Sequence, residues 1–214
     1  MLDDLWPTFR IEIATPRLRL RLPRENELAR LAHIAGQGVH GPSERPFLTP
    51  WTDGTPQDRA RSVMRGHWSA LAGWRVDDWS LGLGVFGADG EPLGMVTVRA
   101  RNFPVVREVA TWSWLGIPHQ GHGYGTEARK GLLTLAFDHL GAEAALSEVF
   151  QDNHASQRVS RRLGYRPDGI SRDARGSEVL VSDRLRLERS RWAEVPHDDI
   201  TVEGVDACRA MFTG

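Results

Sequence analysis

Cysteine occurs once in the 214 residues, at Cys208, and lysine once, at Lys130. A lone cysteine excludes an intrachain disulfide and a cysteine-paired metal site, and reads as a free thiol in a reducing cytoplasm. Neither sign of charge is in excess. The formal net charge of −1 excludes the basic footprint of a nucleic-acid binder, so no nucleic-acid partner is expected. No apolar run approaches a membrane span. The start, Met1 to Arg10, is acidic and then aromatic, without the basic and then apolar order of a signal peptide. The expectation is a cytoplasmic protein with no membrane partner. Repeats, low-complexity tracts and interdomain linkers are also missing. With 40% hydrophobic and 26% charged residues, the chain suits one globular domain spanning 1–214.

Glycine, by contrast, is concentrated where it matters. Gly121, Gly123 and Gly125 alternate in a stretch that follows Trp112-Ser-Trp-Leu-Gly116 and runs directly into a helical pattern. Residues without Cβ let the backbone reach unusual dihedrals and let a ligand approach the main chain. A helix start adds amide N–H groups without intrahelical partners and the positive end of the helix dipole. Together these favour an anion, and a diphosphate suits the site. No Gly-Lys-Ser/Thr closes the loop, which excludes a nucleoside-triphosphate P-loop. The spacing also misses the dinucleotide fingerprint.

The pattern that fits is Gln/Arg-x-x-Gly-x-Gly/Ala, met by Gln120, Gly123 and Gly125. This stretch resembles the acyl-CoA pyrophosphate loop of the GNAT N-acyltransferases. The surrounding run through Tyr124-Gly-Thr-Glu-Ala128 is similar to the RimJ/RimL-like branch, as is Thr15-Pro-Arg-Leu-Arg-Leu-Arg21. Val39-His-Gly-Pro42, Pro50-Trp-Thr52 and Ser113-Trp-Leu-Gly116 resemble a subgroup for which succinyl-CoA has been suggested as donor.

The order of elements agrees with that resemblance over nearly the whole chain. Alternating residues predict a strand over 11–22, and apolar spacing predicts helices over 25–35 and 56–72. Val63, Met64, Trp68 and Leu71 would form the buried face of the second helix. A hairpin over 79–86 and 91–101 follows, with a turn at Ala88-Asp-Gly90. Further strands are expected over 106–116, 144–150, 165–170 and 179–192, and helices over 123–140 and 154–163. A short helix fits 205–212. The expected fold class is α/β (α+β), the GNAT fold, with a mixed, mostly antiparallel sheet flanked by helices. The long segment 37–55 carries Phe47, Leu48 and Trp51 and is too apolar for a free linker, so it should fold over a cleft.

The resemblance implies an enzyme that moves an acyl group from acyl-CoA to a primary amine of a protein N-terminus or a small molecule. Acetyl-CoA stands ahead of succinyl-CoA as co-substrate, and no metal is implied. A CoA-binding sensor of the same fold is the non-enzymatic alternative, and a homo-oligomer is compatible with either. In cofactor binding, Trp114, Leu115 and Gly116 would lie along the pantetheine, and Gln120, Gly121, His122, Gly123, Tyr124, Gly125 and Thr126 along the diphosphate. Asn153 resembles the family's pantetheine-binding asparagine. Ser156, one helical turn on, would face the thioester sulfur and protonate the leaving thiolate. The family's acidic residue on the strand before the loop falls near Ala110, which has no carboxylate. Glu108, two residues earlier on the same strand face, is the substitute, acting as base through water. His40, Phe47 and Trp51 are the acceptor-binding candidates. His119 and His122 have no further ligands at zinc spacing.

Overall fold

The computed structural model describes residues 1–214. Nine strands form one sheet: β1 (Glu12–Ala14), β2 (Leu18–Arg21), β3 (Asp78–Gly87), β4 (Pro92–Arg101), β5 (Glu108–Leu115), β6 (Ala144–Phe150), β7 (Arg166–Arg175), β8 (Glu178–Glu188) and β9 (Thr201–Glu203). Their spatial order is β7-β8-β6-β5-β4-β3-β2-β1-β9. Every pairing is antiparallel except β5 with β6. Four helices pack on this sheet and frame its open edge: α1 (Glu25–Gln37), α2 (Pro56–Ala72), α3 (Tyr124–Thr134) and α4 (His154–Arg162). A π-helical turn, Leu135–His139, continues α3.

The single strand expected over 11–22 is broken at Pro16 into β1 and β2. Proline has no N–H for a ladder, and Thr15 N–H donates to Leu18 O to close a hairpin there. Helix α1 buries Leu28, Leu31, Ala32 and Ala35, as the spacing required. It runs past Gly36, because that glycine is where α2 crosses: a Cβ on Gly36 would stand 2.9 Å from Pro56 O. Helix α2 starts with a capping box, in which Asp58 N–H donates to Thr55 Oγ1 and Thr55 N–H to Asp58 Oδ2. On α2, Val63 and His67 are buried, whereas Trp68, expected inside, is exposed.

Two apolar layers hold the sheet. One face packs on α3 and the C-terminal segment, with Leu132, Leu133, Phe137, Val109 and Leu187 inside. On the other face, α1 and α2 cover Phe86 and Met95. The tail is part of the core. Phe212 sits edge-on to Trp74 and Trp79, whose indole N–H groups donate to Met211 O and Phe212 O. Strand β9 pairs with β1, an element missed in the sequence, and the tail helix is confined to Ala210–Thr213. Burial pushes the Cys208 thiol up to about 11, so it stays protonated at neutral pH.

His67 carries a pH signature. Burial lowers its pKa from 6.5 to about 4. The unfolded chain takes up this proton as pH falls below 6.5, and the folded chain only near 4, so stability is lost across that interval. Between pH 7 and 5.5 the loss should be about 1 kcal/mol. Urea unfolding at the two pH values would show it, and His67→Gln should remove that part of the loss. An equal loss in both proteins would assign it elsewhere.

Candidate active site

Strands β5 and β6 are joined by only three rungs, Glu108↔Ala144, Val109↔Ala145 and Ala110↔Leu146. Beyond Ala110 the pairing stops, while β4 continues to pair with β5 as far as Leu115. The segment Thr111–Leu115 therefore has one edge that no strand covers. An extended ligand bearing amides can pair with such an edge as an added strand.

The glycine loop stands at the end of that edge. Gly121 and Gly123 have φ of +80° and +84°, which a side chain would oppose. The five consecutive N–H groups from Gly121 to Gly125 make no hydrogen bond within the chain, and Thr126 and Glu127 are the first to bond, both to Gly123 O. Backbone amides converging at the positive end of α3 form an anion cradle. The loop is held from two sides. Gln120 Nε2 donates to Leu115 O at 2.9 Å and to Val39 O at 2.8 Å, so this side chain braces the loop. Glu127 receives the Thr15 hydroxyl at 2.6 Å and the Arg17 Nε at 2.7 Å, and Arg17 also donates to His122 O and stacks on Tyr124. The Thr15-x-Arg17 and Thr126-Glu127-Ala128 motifs are thus two halves of one clamp. Gly116 serves packing: a Cβ there would lie 2.5 Å from Ile34.

Across the gap, Asn153 caps α4, its Oδ1 receiving the Ser156 backbone N–H at 3.1 Å. The Asn153 amide nitrogen and the Ser156 hydroxyl make no other contact within hydrogen-bond reach in the chain, and both residues are half-buried. One turn deeper, the buried Ser160 receives Arg129 Nη1 at 3.2 Å. Arg129 is 3% exposed, its Nε has no partner, and no carboxylate lies within ion-pair distance. Burial lowers its pKa. Nearby Tyr165, whose pKa burial raises, shares a 3.2 Å hydrogen bond with Thr111, the first β5 residue past the last rung. Sequence spacing could have flagged Arg129, which shares the apolar stripe of Leu132 and Ala136.

The acceptor candidates come together with Trp114 of β5. Rings run in a chain from His40 to Phe47 (6.1 Å), Phe47 to Trp51 (5.1 Å) and Trp51 to Trp114 (6.0 Å). His40 is pinned on both nitrogens, Nδ1–H to Gly41 O and Nε2 to the Thr52 hydroxyl, so it shapes the long loop. An ion pair between Arg175 and Asp53 ties the β7–β8 hairpin to that loop. A cavity of about 350 Å³ lies between them, lined by Arg45, Phe150, Asp152, Arg175 and Leu180 among others.

Glu108, the candidate base, is engaged by an arginine. It sits on the paired end of β5, and its carboxylate is held by Arg186 Nη1 at 2.6 Å, before the strands part. The ion pair occupies this carboxylate at the paired end of the strand. Among the arginines, Arg75 and Arg101 are tied to Asp77 and Asp78, away from the gap. No group of three or more potential metal ligands assembles, and no helix is long and apolar enough to cross a membrane.

The open strand edge thus ends in an amide cradle at a helix start. The family model described as an acetyltransferase (GNAT) domain matches residues 17–166. The chain belongs to this family of acyl-CoA-dependent N-acyltransferases. Its fold is similar to that of a GNAT-family acetyltransferase from Bacillus anthracis, with a TM-score of 0.63 at 13% identity over 84% of this chain and 99% of that one. A RimL ribosomal-protein α-N acetyltransferase in complex with coenzyme A aligns with a TM-score of 0.62 at 16% identity, over 81% of this chain and 95% of that one. A chimera built on the spermidine N-acetyltransferase of Vibrio cholerae aligns at 0.60 and 16%, over 82% and 98%.

Proposed function

We propose that residues 1–214 act as one cytoplasmic domain that transfers an acetyl group from acetyl-CoA to a primary amine by direct attack on the thioester. The observation that carries this reading is the run of five unbonded amides, Gly121–Gly125, beside the uncovered edge of β5. The amides would hold the diphosphate, with His122, Tyr124 and Thr126 around it. Thr111–Leu115 would pair with the pantetheine, and the Asn153 amide nitrogen would donate to one of its carbonyls. Ser156 would give its proton to the departing thiolate. The wall of Phe47, Trp51 and Trp114 would border the acceptor. No covalent acyl-enzyme is required: the one cysteine is buried in the tail. The test is release of free thiol from acetyl-CoA in the presence of amines, with a serine-initiated peptide and spermidine as first acceptors. Thiol release that no amine accelerates would overturn the reading.

A second donor is favoured by one observation, the buried Arg129 without a carboxylate. A succinyl group would bring one, and burying a carboxylate is tolerable only against such a partner. A charge-assisted hydrogen bond contributes about 1.5–3 kcal/mol, so succinyl-CoA should then bind about tenfold or more tighter than acetyl-CoA. Equal dissociation constants for acetyl-CoA, succinyl-CoA and free CoA would leave acetyl as the donor.

A further inference from the structure

Attack by an amine needs a group to take its proton, and neither Ala110 nor the arginine-bound Glu108 supplies one. The neighbouring strand does. The last rung pairs Ala110 with Leu146. Side chains alternate along strands, so two residues further on Trp112 and Glu148 come level across the gap, on the same face of the sheet. Both are exposed. This face carries Trp114 and the aromatic wall, whereas the opposite face, with Val109, Thr111, Ser147 and Val149, is buried. Glu148 therefore stands where the strands part, on the side open to an acceptor.

Its electrostatic surroundings single it out. Its cross-strand neighbour on β8 is Arg184, and Arg186 follows on the same face. Arg184 is bound to Asp168 at 3.1 Å, and Arg186 to Glu108 at 2.6 Å, to Asp168 at 3.3 Å and to Glu188 at 3.7 Å. On β4, Arg99 pairs beside Ala110. Three carboxylates of this region are thus occupied by arginines, whereas Glu148 has no cation within ion-pair distance. Its carboxylate oxygens are therefore left to receive an N–H or a water from the open side of the gap.

We propose that Glu148 is the general base of the acyl transfer, an inference that rests on the reading of the chain as an amine acyltransferase. The ammonium gives one proton to the Glu148 carboxylate, directly or through a water. The freed nitrogen lone pair forms the C–N bond. The carbonyl then re-forms and the C–S bond breaks: the thiolate takes the Ser156 hydroxyl proton while the second nitrogen proton passes to the Ser156 oxygen, which restores the hydroxyl. Glu148 returns its proton to solvent.

The test compares two small nucleophiles with acetyl-CoA at pH 7: ethylamine, which is protonated there, and hydroxylamine, which is not. Glu148→Gln should lower kcat/KM for ethylamine about tenfold or more. It should leave the hydroxylamine rate within about twofold, the acetyl-CoA dissociation constant unchanged and Tm unchanged. Glu148→Asp should recover part of the ethylamine rate. Equal losses with both nucleophiles would make the residue structural, and no loss with ethylamine would remove it from the mechanism. A wild-type protein that uses hydroxylamine but not ethylamine would show that the site offers no base. Inertness toward both would overturn the acyl-transfer reading itself, and this inference with it.

Discussion

Gly125→Asp is expected to bind acetyl-CoA about 100-fold more weakly than the wild-type chain and yet to melt no earlier. Gly125 is the second residue of α3, and its N–H is one of the five unbonded amides. A Cβ there meets only Leu115 Cδ1, at 3.7 Å, so an aspartate fits. Replacing glycine in a helix and placing an acid in its first turn both favour the fold, by a few tenths to about 1 kcal/mol. On the proposed reading the same carboxylate would face the diphosphate. Like charges about 6 Å apart at an effective dielectric near 20 repel by about 3 kcal/mol, which is about 100-fold in affinity. Stability and binding thus move in opposite directions, which separates a lost site from a damaged fold. Gly123 would be a poorer choice, because its φ of +84° adds strain and Arg17 Nη2 lies 3.3 Å from its Cβ position. Calorimetry and a melting curve suffice. Unchanged affinity would move the diphosphate elsewhere.

Ser156→Ala should lower kcat about 100-fold while the acetyl-CoA dissociation constant stays within about twofold. The substitution is clean. The helix cap uses the Ser156 backbone N–H, which alanine keeps, and the hydroxyl has no other partner in the chain. Alanine also has the better helix propensity, so Tm should hold or rise slightly. Single-turnover kinetics with saturating donor would isolate the chemical step. Full activity would return Ser156 to an ordinary helix position.

The parts of this site that were legible in the sequence are those built from local backbone geometry. Alternating glycines before a helical pattern, and Asn153 three residues before Ser156, state their conformations directly. The sheet class and most helix limits were legible for the same reason. What escaped were relations between distant residues. Thr15 and Arg17 grip Glu127 across 110 residues, a partnership that no spacing rule carries. Glu108 had the right strand face, but Arg186 on β8 had already claimed its charge. Strand β9 is three residues long and too short to show a period, and its existence depends on the edge offered by β1. Trp68 shows the converse error, an aromatic on the expected stripe that remains 48% exposed.

The three-rung junction of β5 and β6 has a mechanical meaning. The sheet is two panels, six strands on one side and three on the other, and this short seam is their only backbone connection within the sheet. A donor lying in the gap would lengthen the seam and act as a keystone between the panels. Bound ligand should then slow amide exchange in β6 and β8, strands that the diphosphate never touches, because opening the wedge would require expelling the keystone first.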